Sequence, residues 1–293
     1  MKRILLASAV ILFAGALLII SCSKSETSAT EINDQFEQAE METVFEVVLQ
    51  KVDDQITREI SMLEKYNYDP LASKSEIAEP CDPLITVVTP ADSKFPKTIT
   101  LDYGSGCTDK DGNFRAGKII VHITGPYWEK NSVRKAELVD YLYNDLKIVG
   151  DRHEKNNGKD ENGYVVFELK HHEKIWNSEG VLLVERDWLK TRTYNRGEDL
   201  TTKDDDEVWV TGSARVYKNG KELIKEITAP LYREAACQHF QSGIITTSIN
   251  NEKVSELNYG DGKCDNLATC TNKQGLIKDI VLKSWVKYYS IKP

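Results

Sequence analysis

The feature that most constrains this fold is a change in the spacing of apolar residues after Pro83. Before it, residues 45–63 carry apolar side chains three and four positions apart, which is the period of a helix. After it, residues 98–103 (TITLDY) and 118–124 (KIIVHIT) alternate apolar and polar, which is the period of a strand with one wet face. The chain is therefore predicted to form a helical segment followed by a β-rich body.

Hairpin signals follow one another through the middle of the chain. The clearest are 164–176 with 181–194, joined by 177–180, and 207–217 with 221–227, joined by Asn219-Gly220. Asn-Gly between alternating strands favours a tight turn, because both residues tolerate a positive φ. The sequence predicts a mainly β chain with an antiparallel meander of about ten to twelve strands. That meander is expected to form a curved sheet, a half-barrel or a sandwich.

One phrase occurs near either end of the predicted β region. It reads YGSGCTDKDGNFRAGK at residues 103–118 and returns, altered, as YGDGKCDNLATCTNKQG at residues 259–275. Each copy follows one strand pattern and precedes another, so each is predicted to be a long hairpin loop with glycines at unusual backbone angles. A hairpin repeated in this way fits two edges of one sheet that curve towards each other, or the two sheets of a sandwich.

The N-terminus has the pattern of an export signal. Lys2 and Arg3 precede an apolar run that extends to Ile20, and a charged start followed by an apolar run is typical of a secretory signal peptide. At about 17 residues the run is also long enough for an uncleaved membrane helix. The small Ser21 immediately before Cys22 favours cleavage over a helix that stays in the membrane.

The residues that end this segment, IISC, resemble a bacterial lipobox. The resemblance implies cleavage before Cys22, acylation of that residue, and a membrane as partner through its acyl chains. Ser23 implies sorting to the outer membrane. Because Glu26 is the one acidic residue that follows closely, the sequence leaves open whether the protein faces the periplasm or the cell surface.

Four regions are predicted from these patterns. They are a signal peptide at 1–21, a lipidated tether at 22–30, a helical segment with its connector at 31–78, and an antiparallel β domain at 79–293. The formal net charge is −8 and the pI about 5.3. This acidity argues against a nucleic-acid partner and against electrostatic binding to anionic lipid.

Five cysteines remain if Cys22 is acylated, and an exported protein can form disulfides. Cys107 and Cys264 occupy equivalent places in the two loops, and Cys81 and Cys237 each lie shortly upstream of one of them. We therefore expect Cys81 to pair with Cys107 and Cys237 with Cys264. A bond between Cys107 and Cys264 is the alternative, since sequence does not fix connectivity.

The two loops, together with VTGSARVYKNGKE (210–222) and AACQHFQSGIITTSI (235–249), resemble a group of uncharacterised lipoproteins of Bacteroidota-type bacteria. The likeness extends from about Cys81 to Leu282. It implies an outer-membrane lipoprotein and no particular activity. The elements shared with that group also imply that Cys270 is the unpaired thiol.

A cation site was considered for the acidic residues of the two loops. Asp109 and Asp111 imitate the start of an oxygen-ligand calcium loop, and Asp261 and Asp265 add carboxylates in the second copy. The pattern fails as an EF-hand, because Phe114 stands where that loop needs glycine. No other metal or cofactor motif is present, and we expect no cofactor.

The sequence favours a non-catalytic lipoprotein of the cell envelope, which binds a protein or a glycan, or has a structural role, through its loops or a sheet edge. One alternative is a periplasmic carrier of lipid or another hydrophobic ligand, with a cavity in a half-barrel. Another is a secreted hydrolase, although no carboxylate pair is singled out. The interior separates the first two hypotheses, because a carrier needs an apolar cavity and a scaffold should be packed solid.

Overall fold

The computed structural model describes residues 29–74, 80–197, 205–218 and 220–283. The predicted signal peptide and most of the predicted tether, including Cys22, lie outside these residues. Helix α1 spans Ala29–Lys65 and the short helix α2 spans Pro70–Lys74. The long apolar stripe of the sequence is therefore one unbroken helix of 37 residues.

Within the described residues fourteen strands follow, which is more than the ten to twelve expected. They are β1 (Leu84–Val88), β2 (Lys97–Asp102), β3 (Cys107–Thr108), β4 (Phe114–Ile123), β5 (Val133–Tyr143), β6 (Leu146–Lys159), β7 (Val165–Trp176), β8 (Leu182–Asn195), β9 (Glu207–Lys218), β10 (Lys221–Glu234), β11 (Ser242–Ile249), β12 (Glu252–Asp261), β13 (Leu267–Asn272) and β14 (Ile277–Val281). All are antiparallel and joined in chain order, with β3 paired only to β4. The two-residue strand β3 is too short to leave a periodic signal.

The strands form one curved sheet that is not closed. Helix α1 lies in its concave face, because this one helix makes polar contacts with strands far apart in the sheet. Those contacts come from Arg134 (β5), Arg152 (β6), Arg186 (β8), Lys225 (β10) and Lys278 (β14). The meander is thus a curved sheet, and of the arrangements that the sequence left open this one is confirmed.

The hydrophobic core lies between α1 and the sheet. Val48, Ile56 and Ile60 of the helix are at most 1% exposed, and Leu101 and Ile119 of the sheet are fully buried. These side chains come from the three-and-four spacing of the helix and from alternate positions of the strands. Burial of each contributes about 1.5–3 kcal/mol, so the helix and the sheet stabilise each other.

The two copies of the repeated phrase occupy matching places in the sheet. The first runs from the end of β2 into β4 and includes the two-residue strand β3. The second runs from the end of β12 towards β14 and contains the whole of β13, so the prediction of a single hairpin loop is wrong for this copy. Residues 111–113 of the first and Asn266 of the second line one cleft, together with Lys51 of α1. The repeat therefore belongs to two edges of one sheet that curve towards each other. Gly106 has a φ of 122°, and a Cβ there would lie 2.1 Å from the Phe114 ring.

Both loops are tied by disulfides. Cys81 is bonded to Cys107 and Cys237 to Cys264, which is the pairing expected from the two loops. The alternative bond between Cys107 and Cys264 is not formed. Cys270 is a buried free cysteine on β13. The first bond ties the segment before β1 to β3, and the second ties the β10–β11 connection to the β12–β13 connection.

Candidate functional site

Charged side chains occupy inward positions of the sheet, where apolar residues are expected. They face a row of acids on α1, and together they form a cluster that we call the ionic core. Its members are Glu42, Glu46 and Asp53 of α1 with Arg152, His171, Glu173, Arg186, Lys190 and Lys225 of the sheet. Glu42, Glu46 and Asp53 are spaced four and seven apart, so they lie on one face of the helix.

Glu173 is the centre of the ionic core and is fully buried. Its two carboxylate oxygens lie 2.8 Å from Arg152 and 2.9 Å from Arg186. These arginines reach on to the helix, Arg152 to Asp53 at 2.5 Å and Arg186 to Glu46 at 2.7 Å. The sheet and the helix are therefore connected by a continuous chain of ion pairs.

The protonation states in the ionic core follow from burial and from these charges. Burial alone would raise the pKa of Glu173, but Arg186 and Arg152 outweigh it and lower the pKa to about 2. His171 lies beside Glu173, and burial lowers the pKa of its imidazole to about 4. At neutral pH the core therefore holds ionised Glu173 and neutral His171.

A second buried cluster lies at the other end of the helix. Arg134 and Arg192 both form ion pairs with Glu154, and the Tyr127 hydroxyl donates to the Glu154 Oε1 at 3.1 Å. The Tyr127 ring stacks on Phe167 with 4.8 Å between centroids. Both carboxylate oxygens of Glu154 are thus held by buried partners.

The ionic core leaves little free space. The cavity between Asp53, His171, Glu173 and Arg192 has a volume of about 60 Å³. That is room for a few water molecules and not for a substrate.

A larger cavity remains between the first half of α1 and strands β10–β13. It has a volume of about 310 Å³, and we call it the lysine cavity. Its polar side chains include Glu42 and Glu46 with Lys218, Lys221, Lys225 and Lys273. Its apolar wall consists of Ala39, Leu223, Ile245, Ile249, Val254, Leu257 and Cys270.

Two of these lysines are already paired at the boundary with the ionic core. Lys225 lies 2.8 Å from Glu42 and Lys218 lies 3.4 Å from the same carboxylate. Burial opposes ionisation of Glu42, but the two lysines prevail and lower its pKa to about 2. Lys221 is exposed and forms no ion pair within the part of the chain that the structure describes.

The four acidic residues that were considered for calcium do not converge on a site. The Asp109 carboxylate accepts from the backbone N–H of Asn113 at 2.8 Å and pairs with Arg115 at 2.5 Å. Asp261 pairs with Lys263 at 3.1 Å, and Asp265 accepts from the Leu267 N–H at 3.0 Å. Asp111 lies in the cleft between the loops. Across residues 29–74, 80–197, 205–218 and 220–283, no three His, Cys, Asp or Glu side chains form a metal-binding group.

The two adjacent histidines and several aromatic residues are divided between the two faces of the sheet. His171 is buried, whereas His172 faces outward and contacts Asp187 at 2.7 Å, as the alternation predicts. Trp188 is buried on the concave face, but Trp209 and Tyr217 stand on the other face of the sheet, so these aromatic residues do not line one concave surface. The ionic core was missed, although charged residues at inward strand positions were a readable signal.

Comparison with known proteins identifies no relative of this chain. No family model, curated sequence or solved structure gives a significant match to this chain. Among the described residues, no helix has the length and apolar character that a membrane crossing needs.

Proposed function

We propose that this chain is a non-catalytic lipoprotein of the cell envelope, held at the outer membrane by acylated Cys22, and that it acts by binding a ligand in the lysine cavity. The observation that carries the proposal is the contrast inside the concave face. Helix α1 fills most of that face, yet a cavity of about 310 Å³ stays open along β10–β13. Ligand sites begin at about 300 Å³.

The state of the buried carboxylates supports binding over hydrolysis. A glycosidase needs a carboxylic acid whose pKa lies near the working pH. Glu173 has its pKa lowered to about 2 by two arginines, and Glu154 is held between two others. These groups are suited to holding the helix on the sheet.

The anchor is tested by metabolic labelling with radioactive palmitate. The wild-type chain should take up label, and Cys22→Ser should not. Cys270→Ser is the matched control, because it removes a different unpaired cysteine and should keep the label. Equal labelling of the wild type and Cys22→Ser would contradict the proposed anchor.

The binding function is tested by native mass spectrometry of the Cys22→Ser chain purified from the cell envelope. We expect the native mass to exceed the mass measured after denaturation by that of a small ligand. Identical native and denatured masses, with no partner recovered after gentle crosslinking in the envelope, would contradict a binding role.

A further inference from the structure

The lysine cavity and the whole chain have net charges of opposite sign. The protein has a net charge of −8, whereas the cavity lining has four lysines and two glutamates, an excess of two positive charges. Lys273 at the opening pairs with the exposed Glu252, and exposed pairs of this kind are weak. The cavity is therefore complementary to an anion.

The apolar wall excludes a purely polar anion as the best occupant. Leu223, Ile249 and Leu257 stay partly exposed because they border the cavity, and a ligand that covers them gains the free energy of apolar burial. A sugar phosphate or a free carboxylate ion would leave that surface wet. An occupant that fits both walls has an anionic group and an apolar body.

The arrangement of the two walls gives the ligand a direction. Lys221 and Lys273 are exposed, whereas Ile245 and Cys270 are 3% and 1% exposed at the inner end. An anionic head group at the two lysines places the apolar body against Ile245 and Cys270. The volume of about 310 Å³ is roughly twice that of a cavity that takes benzene. It suits one alkyl chain and not the two chains of a phospholipid.

We infer that the lysine cavity binds a single-chain amphiphile with an anionic head group, the head at Lys221 and Lys273 and the chain along β11–β13. This inference rests on the proposed binding function and names its ligand class. It differs from a two-chain carrier, whose ligand would not fit the volume.

Cys270 gives a direct readout of occupancy. In the Cys22→Ser chain it is the one cysteine that is neither replaced nor in a disulfide, and it lines the cavity. A ligand that fills the cavity should slow its alkylation by iodoacetamide. We expect dodecanoate to slow the reaction at least tenfold at saturation, and dodecanol and dodecylammonium to have much weaker effects. Dodecyl phosphate serves as a second anionic probe and distinguishes a carboxylate head from a phosphate.

Two further series make the test more specific. One varies the alkyl length of the ligand, and the other reverses the charge of single lysines in the protein. From octanoate to dodecanoate, each added methylene should tighten half-maximal protection by up to about fourfold. Lys221→Glu and Lys273→Glu should each weaken protection about tenfold. Lys263→Glu makes the same charge change at an exposed residue outside the cavity and should leave protection unchanged.

The outcomes separate the inference from the proposed function. If dodecanoate does not protect Cys270 while the protein from the envelope still carries extra mass, the inference is wrong and the binding function stands. If neither is observed, both fail. Equal protection by dodecanol and dodecanoate, or equal losses in Lys221→Glu and Lys263→Glu, would overturn the role of the lysines.

Discussion

Two regions of the same concave face are packed very differently. Over β2–β9 the helix meets large side chains such as Tyr141 and Tyr143, which are fully buried, and arginines that reach its acids. Over β10–β13 it meets Thr247, Ser255 and Cys270, and the lysine cavity remains. Buried residues alternate along β7, whereas along β11 and β12 most residues are partly exposed. The size of the inward side chains therefore decides where the sheet packs tightly on α1 and where it leaves room for a ligand.

The largest effect is expected where the packed region depends on charge. Glu173→Gln leaves Arg152 and Arg186 without their central carboxylate, and we expect a loss of about 3–5 kcal/mol in the free energy of unfolding. Glu168→Gln is the matched control on the same strand, because Glu168 pairs at the surface with Lys170. It should cost less than about 0.5 kcal/mol. Urea denaturation measures both variants, and equal losses would contradict a stabilising ionic core.

The two disulfides offer a matched comparison, because their sequence separations are 26 and 27 residues. Chain entropy gives each about 3.5 kcal/mol, so replacing either pair with serine should lower stability by a similar amount. Only loss of Cys237–Cys264, beside the open region, should also weaken protection of Cys270 by dodecanoate. Thermal unfolding together with the alkylation assay checks this. Equal weakening by loss of Cys81–Cys107 would count against a separate open region.

Buried groups of the packed region should also control how the stability of the chain depends on pH. The folded pKa of His171 is about 4 against an ordinary 6.5, so between these values the unfolded chain binds a proton that the folded chain does not. Stability should therefore fall by about 2–3 kcal/mol as the pH drops from 6.5 to 4. From pH 4.5 down to about 2, Glu42 and Glu173 add to this loss, because their folded pKa values of about 2 lie below the ordinary 4.5.

The variant His171→Gln isolates the upper part of this window. The imidazole is surrounded by Asp53, Arg152, Glu173 and Lys190. Its removal should make the urea midpoint nearly independent of pH between 6.5 and 4.5, while the loss of stability at lower pH remains. His172→Gln on the outer face should keep the wild-type profile. An unchanged profile in His171→Gln would show that another group controls this range.

The smallest change in stability is expected from replacing a small inward side chain with leucine. The sign of that change should differ between the lysine cavity and the packed core. Ser255→Leu places apolar atoms in the lysine cavity and should stabilise the chain by about 0.5–1 kcal/mol while abolishing ligand protection of Cys270. Ala136→Leu makes a similar addition at a residue that is 3% exposed in the packed core. It should destabilise the chain by about 1–3 kcal/mol. Thermal unfolding of both variants tests the contrast, and destabilisation by Ser255→Leu would contradict an open cavity.

Much of the fold could be predicted from the sequence because its signals are local. The spacing of Val48, Ile56 and Ile60 indicates the helix, and alternation with Asn219-Gly220 indicates the hairpins. The single curved sheet could not be chosen over a sandwich, because alternation shows which side chains share a face and not which strands meet across the core.

The candidate site was much harder to predict from the sequence. Glu46 and Arg186 are 140 residues apart in the chain, and their ion pair exists only because the sheet wraps around the helix. The lysine cavity arises from small side chains on three different strands, so no window of sequence contains it. The disulfides were an easier case, since Cys107 and Cys264 lie in recognisable repeats.

The comparison between the two regions is tested most directly by hydrogen exchange of the Cys22→Ser chain with and without dodecanoate. The account predicts that amide protection rises in residues 39–46 of α1 and in strands β10–β13, and stays unchanged in β5–β8. Protection that rises in β5–β8, or changes equally along the whole sheet, would contradict a sealed region beside a ligand-binding one.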